Sequence, residues 1–295
     1  MLTIAGIRYR NVMAAHGGPI SFVQTGETTV YGRTMFQSNV HLDASVLPPR
    51  QRYVMFGNAD GTGTHPVAAV ARHMAISEAI ERWAFRVVSK SPDRVLYGFD
   101  TDRSSSGMAA YPGLFDYQSR QRALAEAIER YSLVAWWEGR LPGRLRETEW
   151  PGISAVEIVG PFREARAVIV FKRCDPGFFA YGHAAAPSFH AACERAIVEL
   201  ARNEYVLRRY WLAGGPQQRP LDLFERRCLF FSTPDGHELF LAKARAEAGE
   251  PAGKPATVFD GEIPGPWATY ATVWRVVLQP VTDSFLANTE RYFFW

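Results

Sequence analysis

Cysteine is scarce in this 295-residue chain: Cys174, Cys193 and Cys228 are odd in number, far apart, and form no CxxC pair. That excludes a disulfide framework and a cysteine-rich zinc module, and it predicts buried, reduced thiols. Long apolar runs are missing as well. No stretch approaches the roughly 18 apolar residues that a membrane helix needs. The N-terminal MLTIAGIRYRNVMAAHGG is broken by Arg8 and Arg10, unlike a secretory signal. The cytoplasm is therefore the expected location, without a membrane partner. Charge of one sign is not in excess: the net charge is +3 and the arginines are scattered, which argues against nucleic acid as a partner. The seven histidines occur singly, without HExxH or HxH spacing, so no zinc site is expected. No low-complexity tract or linker divides the chain, and residues 1–295 are expected to form a single domain.

What is present is an ordinary globular composition, 47% hydrophobic and 21% charged, in a chain long enough to bury a full core. Three segments carry helix punctuation. The first opens at His65-Pro66 and runs to about Lys90, before Ser91-Pro92. The second has Asp116 as N-cap and ends near Gly139, and the third runs from Pro187-Ser188 to Ala213-Gly214-Gly215-Pro216. Between them RVLYGF (94–99), AVEIVG (155–160), AVIVFKR (167–173) and TYATVWRVVLQPV (269–281) are short and rich in β-branched or aromatic residues, and are expected to be strands. Alternating helices and strands predict an α/β or α+β fold, a sheet covered by long helices.

One phrase is written twice. AISEAIERW (75–83) returns as ALAEAIERY (123–131), 48 residues later. At 100° per residue, Glu78 and Glu81 share a face with Val67, Val70, Met74, Phe85 and Val88, and Glu126 and Glu129 share one with Leu133 and Trp136. The spacing places both acids of each copy inside an apolar stripe, where an ionised carboxylate needs a partner. Glu78–Arg82 and Glu126–Arg130 pairs at i,i+4 would account for one acid per helix, worth about 0.3 to 0.5 kcal/mol each. Glu81 and Glu129 are left over. Hard cations such as Mg²⁺ take carboxylate ligands together with phosphate oxygens, and Arg82 and Arg130 would then meet phosphate with their planar donor forks. Spacing alone leaves both the metal–phosphate reading and a salt-bridged, solvated helix pair open.

The wider order of motifs is more specific. GNADGTGTHP (57–66), the first acidic helix, SSSGMAA (104–110), LAEAIERYSLVAWW on the second helix, and AAPSFHAACERAIVELARN (185–203) follow one another. This order resembles the YcaO family over roughly residues 55–205. The resemblance implies a YcaO-type fold, with ATP and Mg²⁺ held by the acidic helices. Glu78, Glu81, Glu126, Glu129 and Glu199 become metal ligands, and Ser106, Gly107, Glu78, Glu126, Asn203, Arg82 and Arg130 nucleotide-binding residues. Glu81, Glu129, Arg82 and Arg130 carry the catalytic step. The chain departs from the family in having Met74 where a serine often stands, Gly61-Thr62-Gly63 in place of Gly-Lys-Gly, and Asn203 for the usual Gln.

The activity so implied is activation of an amide carbonyl by O-phosphorylation, followed by loss of phosphate. An attacking peptide Cys, Ser or Thr gives an azoline, sulfide a thioamide, and an amine an amidine. Azoline-forming members commonly end in a proline-rich tail, whereas this chain ends in TERYFFW (289–295), with Pro280 its last proline. That contrast, and the lack of room for a separate leader-binding domain, favour a stand-alone enzyme of the thioamide or small-substrate type. Its partners would be a peptide or small-molecule amide and a sulfur-delivery protein. The alternatives are an azoline-forming cyclodehydratase subunit that borrows its peptide clamp from a leader-binding partner, and a scaffold that has lost nucleotide binding. A homodimer is compatible with each. GEPAGKPA (249–256) is no phosphate loop, because its spacing is one residue short and Pro255 stands at the magnesium-binding position. Cys193, beside Ala191, Ala192 and Ile197, reads as packing surface, and Trp136-Trp137 as core. The Phe293-Phe294-Trp295 end has three open destinations: its own chain, a dimer interface or a partner.

Overall fold

The computed structural model describes residues 3–47, 55–101, 103–214, 221–247, 253–287 and 289–293. In chain order the elements are α1 (Ala5–Arg8), β1 (Ile20–Val30), β2 (Arg33–Leu42), β3 (Gly61–His65), α2 (Ala68–Val88), β4 (Ser106–Tyr111) and α3 (Tyr117–Trp137). There follow β5 (Gly143–Glu147), β6 (Ser154–Ile158), β7 (Arg166–Cys174), β8 (Phe178–Ala186), α4 (Phe189–Leu212), α5 (Leu223–Ser232), α6 (Pro234–Arg245), β9 (Thr257–Glu262) and β10 (Thr272–Leu278). The class is mixed α/β, with three antiparallel sheets among the described residues. The chain divides into two compact units: residues 1–51, 58–127 and 257–278 form the first, and 52–57, 128–256 and 279–295 the second.

Unit one holds two three-stranded sheets, ordered β1-β2-β3 and β4-β10-β9. The β1–β2 hairpin closes on Tyr31 and Gly32, at φ 43° and 83°, the paired left-handed residues of a two-residue turn that matches strand twist. Helix α2 packs on β2, β3 and β4 through Ala71, Ala75, Ile76, Ala79, Ile80, Trp83, Ala84 and Val88. Trp83 meets Trp267 edge-to-face at 5.5 Å. The expected strand RVLYGF is a 3₁₀ turn instead, Pro92–Tyr97, ended by Gly98 at φ 66°. Pro92 starts the turn, and the buried Arg275 fixes it by donating to Tyr97 O and Gly98 O, each at 3.1 Å, while lying over the Phe99 ring at 4.0 Å. A side chain 177 residues downstream overrides the local β-propensity.

Unit two is built on one sheet, β5-β6-β7-β8, with α4 across β7 and β8. Ser188 caps α4 by accepting from Ala191 N at 3.2 Å. At its other end Ala213 is the C-cap, followed by Gly214 at φ 84°; Gly215 and Pro216 lie outside the described residues. Helix α5 opens on a capping box formed by Asp222 and Glu225. Trp136 and Trp137 fill the core as expected, against Phe231, Phe240 and Phe293. Phe293 is fully buried, so this part of the terminal aromatic cluster docks within its own unit. Arg227 ties the approach by donating to the carbonyls of Phe285, Ala287 and Thr289. Phe294, Trp295 and residues 249–252 of the Gly/Pro loop lie outside the described residues. All three cysteines are buried and unpaired, and burial pushes the Cys174 thiol up to about 12 and the Cys193 thiol to about 11.

Candidate functional site

The acidic residues are positioned by glycines. Gly61 in β3 runs so close beneath α2 that an added Cβ would lie 2.0 Å from Ala75 O. Gly107 in β4 stands in the same relation to α3, 2.1 Å from Ala123 O, and Gly182 in β8 to α4, 2.3 Å from Ala196 O. Only glycine on the strand, facing small residues on the helix, permits this approach. The residue after each glycine then donates its main-chain N–H to a helix carboxylate. Thr62 N lies 2.7 Å from Glu78 Oε2, Met108 N 2.9 Å from Glu126 Oε2, and His183 N 3.2 Å from Glu199 Oε2. Among the described residues this strand–helix lock thus occurs three times. The sequence shows the first two copies through EAIER; the third is hidden because α4 reads ELARN, and its only early signal is Gly182, placed as far before Glu199 as Gly61 is before Glu78.

In unit one the locks hold Glu78 and Glu126. Glu78 Oε2 also accepts from the Thr62 hydroxyl at 3.0 Å, while Oε1 pairs with Arg82, whose other nitrogen donates to Ala59 O at 3.1 Å. The threonine standing in the Gly-x-Gly thus faces a carboxylate. Glu81 and Arg82 are half-buried. The apolar stripe expected beside Glu78 and Glu81 is buried only toward its C-terminal end: Val88 is buried and Phe85 packs on the core, whereas Val67, Val70 and Met74 are exposed, Met74 by 40%. The helix turns its alanine-rich face inward because only that face admits the glycine strand. Ser106 and Gly107 are buried in β4, with Ser106 only 1% exposed.

Unit two holds Glu129 and Glu199, and a residue missed in the sequence, His183. The His183 Nδ1–H donates to Glu129 Oε1 at 2.8 Å and lies 3.7 Å from Glu199 Oε2. The other Glu129 oxygen accepts from Ala185 N at 2.9 Å. Burial opposes a charge on the ring, but Glu199 and Glu129 outweigh it and push its pKa up to about 9. Asn203 donates its amide to Tyr181 O at 2.8 Å, bracing α4 on β8. Arg130 is half-buried on α3.

Two solved structures share this architecture. Both are of the E. coli Microcin synthetase McbBCD complex, one with pro-MccB17 bound. In each, a chain is 12% identical to this one over 86% of both chains, with a TM-score of 0.52. No protein-family model and no curated protein matches the chain.

The fold is YcaO-like.

Within a YcaO-like fold the acids differ in their partners. Glu78 and Glu126 are carboxylates aimed by main-chain donors, and their anionic oxygens match what a hard cation takes. At Glu129 and Glu199 an imidazole stands beside the carboxylates, as the Arg82 guanidinium stands against Glu78. Elsewhere Glu149, His190 and Glu194 bring ligand atoms within 4.8 Å, all exposed. Glu149 faces Nδ1 and Glu194 faces Nε2, each at 3.8 Å, so they flank the ring and do not converge on one nitrogen.

Proposed function

We propose that this chain activates an amide carbonyl of a peptide by ATP-dependent O-phosphorylation, as a component of a peptide-modifying synthetase. The observation that carries this reading is the pair of strand–helix locks in unit one. They present Glu78 and Glu126 with the same main-chain contact and place Glu81 and Arg82 one helical turn from Glu78. The fold likeness to a microcin synthetase seen with pro-MccB17 supports a precursor peptide as substrate and a multi-protein setting. It also favours attack by a peptide Cys, Ser or Thr side chain, giving an azoline, over the stand-alone thioamide reading.

The chemistry asks little covalent participation of the protein. The nucleophile adds to the carbonyl carbon, the oxyanion attacks the γ-phosphorus of ATP, ADP departs, and loss of phosphate completes the exchange of oxygen for the nucleophile. Alignment and positive charge near the phosphate oxygens supply most of the acceleration. Glu78, Glu81 and Glu126 would hold Mg²⁺, which neutralises phosphate charge when bound. Arg82, anchored by Glu78 and Ala59 O, offers its remaining N–H groups to phosphate. Titration calorimetry with Mg–ATP, followed by product analysis, tests the reading: binding with ADP and phosphate supports it, and AMP with pyrophosphate would indicate adenylation instead.

A second reading, a scaffold without nucleotide binding, is favoured by the Glu78 contacts, since Thr62 and Arg82 engage both of its oxygens. Unmeasurable affinity at millimolar Mg–ATP, with the chain folded, would make that the better account.

A further inference from the structure

The third strand–helix lock differs from the other two in one residue type. After its glycine the first lock has Thr62 and the second Met108, neither of which carries a charge. The third has His183, whose ring lies against two carboxylates of its own unit.

We propose that the His183 ring occupies the place beside Glu129 and Glu199 that the motif order assigns to a divalent ion, so that these two acids bind no metal. The expectation of a metal comes from the YcaO-type reading above, and on that reading the inference rests; the geometry stands independently. Glu129 has one oxygen on Nδ1 of the ring at 2.8 Å and the other on Ala185 N at 2.9 Å. Glu199 reaches the same ring nitrogen at 3.7 Å and accepts from the His183 main chain at 3.2 Å. Ring and carboxylates are therefore fixed through one short length of β8. The side chains of His183 and Glu129 are only 11% and 17% exposed, so their hydrogen bond is sheltered from water, while that of Glu199 is 44% exposed. Nδ1 must carry a hydrogen, since a carboxylate only accepts. A divalent ion bridging the two acids would have to displace the ring from its hydrogen bond to Glu129.

The test is Mn²⁺ uptake by the full chain without nucleotide, followed by loss of the free-ion electron paramagnetic resonance signal. Removing the ring frees two carboxylates, so His183→Ala should take up one Mn²⁺ per chain more than wild type. Adding Glu129→Gln to that variant should abolish the gain. Glu129→Gln alone should leave wild-type uptake unchanged. His183→Asn, which keeps a polar side chain on the strand, repeats the test if the alanine variant does not fold. A loss of bound Mn²⁺ in Glu129→Gln alone, or no gain in the folded His183 variants, overturns the proposal. Absence of Mn²⁺ from wild type would count against the unit-one metal reading, while the gain in His183→Ala would still decide this one.

Discussion

His237 and His183 belong to the same unit and are driven to opposite charge states. His183 has two carboxylates beside it; His237 stacks on Phe179 at 3.7 Å and shares a hydrogen bond with the Tyr181 hydroxyl at 2.8 Å. Burial, with Arg245 adding to it, pushes the His237 pKa down from 6.5 to about 4. The folded chain therefore prefers this ring neutral. Its contribution is fully present above the unfolded value and is lost as pH falls toward about 4, because the unfolded chain then binds the extra proton. Discounted for partial hydration, the loss is roughly 1 to 2 kcal/mol. Urea midpoints at pH 7 and pH 4.5 should converge between wild type and His237→Gln as the pH falls, and parallel curves would contradict the assignment. Phe293 offers a larger effect at the same scale. It is fully buried against Trp136, Trp137, Tyr181, Phe231 and Phe240, so Phe293→Ala should cost about 3 to 5 kcal/mol in chemical denaturation.

At the scale of elements, each lock depends on a glycine that no other residue replaces. In Gly107→Ala the new methyl would lie 2.1 Å from Ala123 O and 2.4 Å from Ala127 N, which are helix backbone and cannot turn aside. A loss of about 2 to 3 kcal/mol is expected, against less than about 0.5 kcal/mol for Met74→Ser on the exposed side of α2. Equal urea midpoints for the two variants would show that the strand–helix approach is not tight. This also explains what was legible in advance. Helices α2, α3 and α4 announce themselves because Pro66, Asp116 and Ser188 stand at their starts, and Gly139 and Gly214 beyond their ends. β6, β7 and β10 follow from β-branched runs. Gly61–His65 and Phe178–Ala186 were hidden, since a strand that admits a helix backbone is rich in glycine and alanine, the residues that argue locally against a strand. The direction of the acids was misjudged for the same reason: Val67, Val70 and Met74 suggest a core stripe, but close approach selects the alanine face. Glu78 was rightly paired with Arg82, while the partners of Glu129 sit on a strand 54 and 56 residues away, beyond any helical periodicity.

For the whole molecule, each unit carries acids held by strand–helix locks, and the two sets differ in their partners. In unit one Glu78 is paired with Arg82, and Glu126 accepts from Met108 N. In unit two the His183 ring stands beside Glu129 and Glu199. If unit one binds Mg–ATP as proposed, its affinity depends on Glu81, which lies one turn beyond Glu78 on α2. Glu81→Gln keeps the shape and removes the charge, so it should weaken Mg–ATP binding by about tenfold, a change of ~1.4 kcal/mol, while leaving the melting temperature of the free protein within a few degrees. Calorimetry on the two proteins at matched Mg²⁺ separates the outcomes. Equal affinities would remove Glu81 from the site. A weakened variant that also melts early would show that the charge supports the fold and not the ligand.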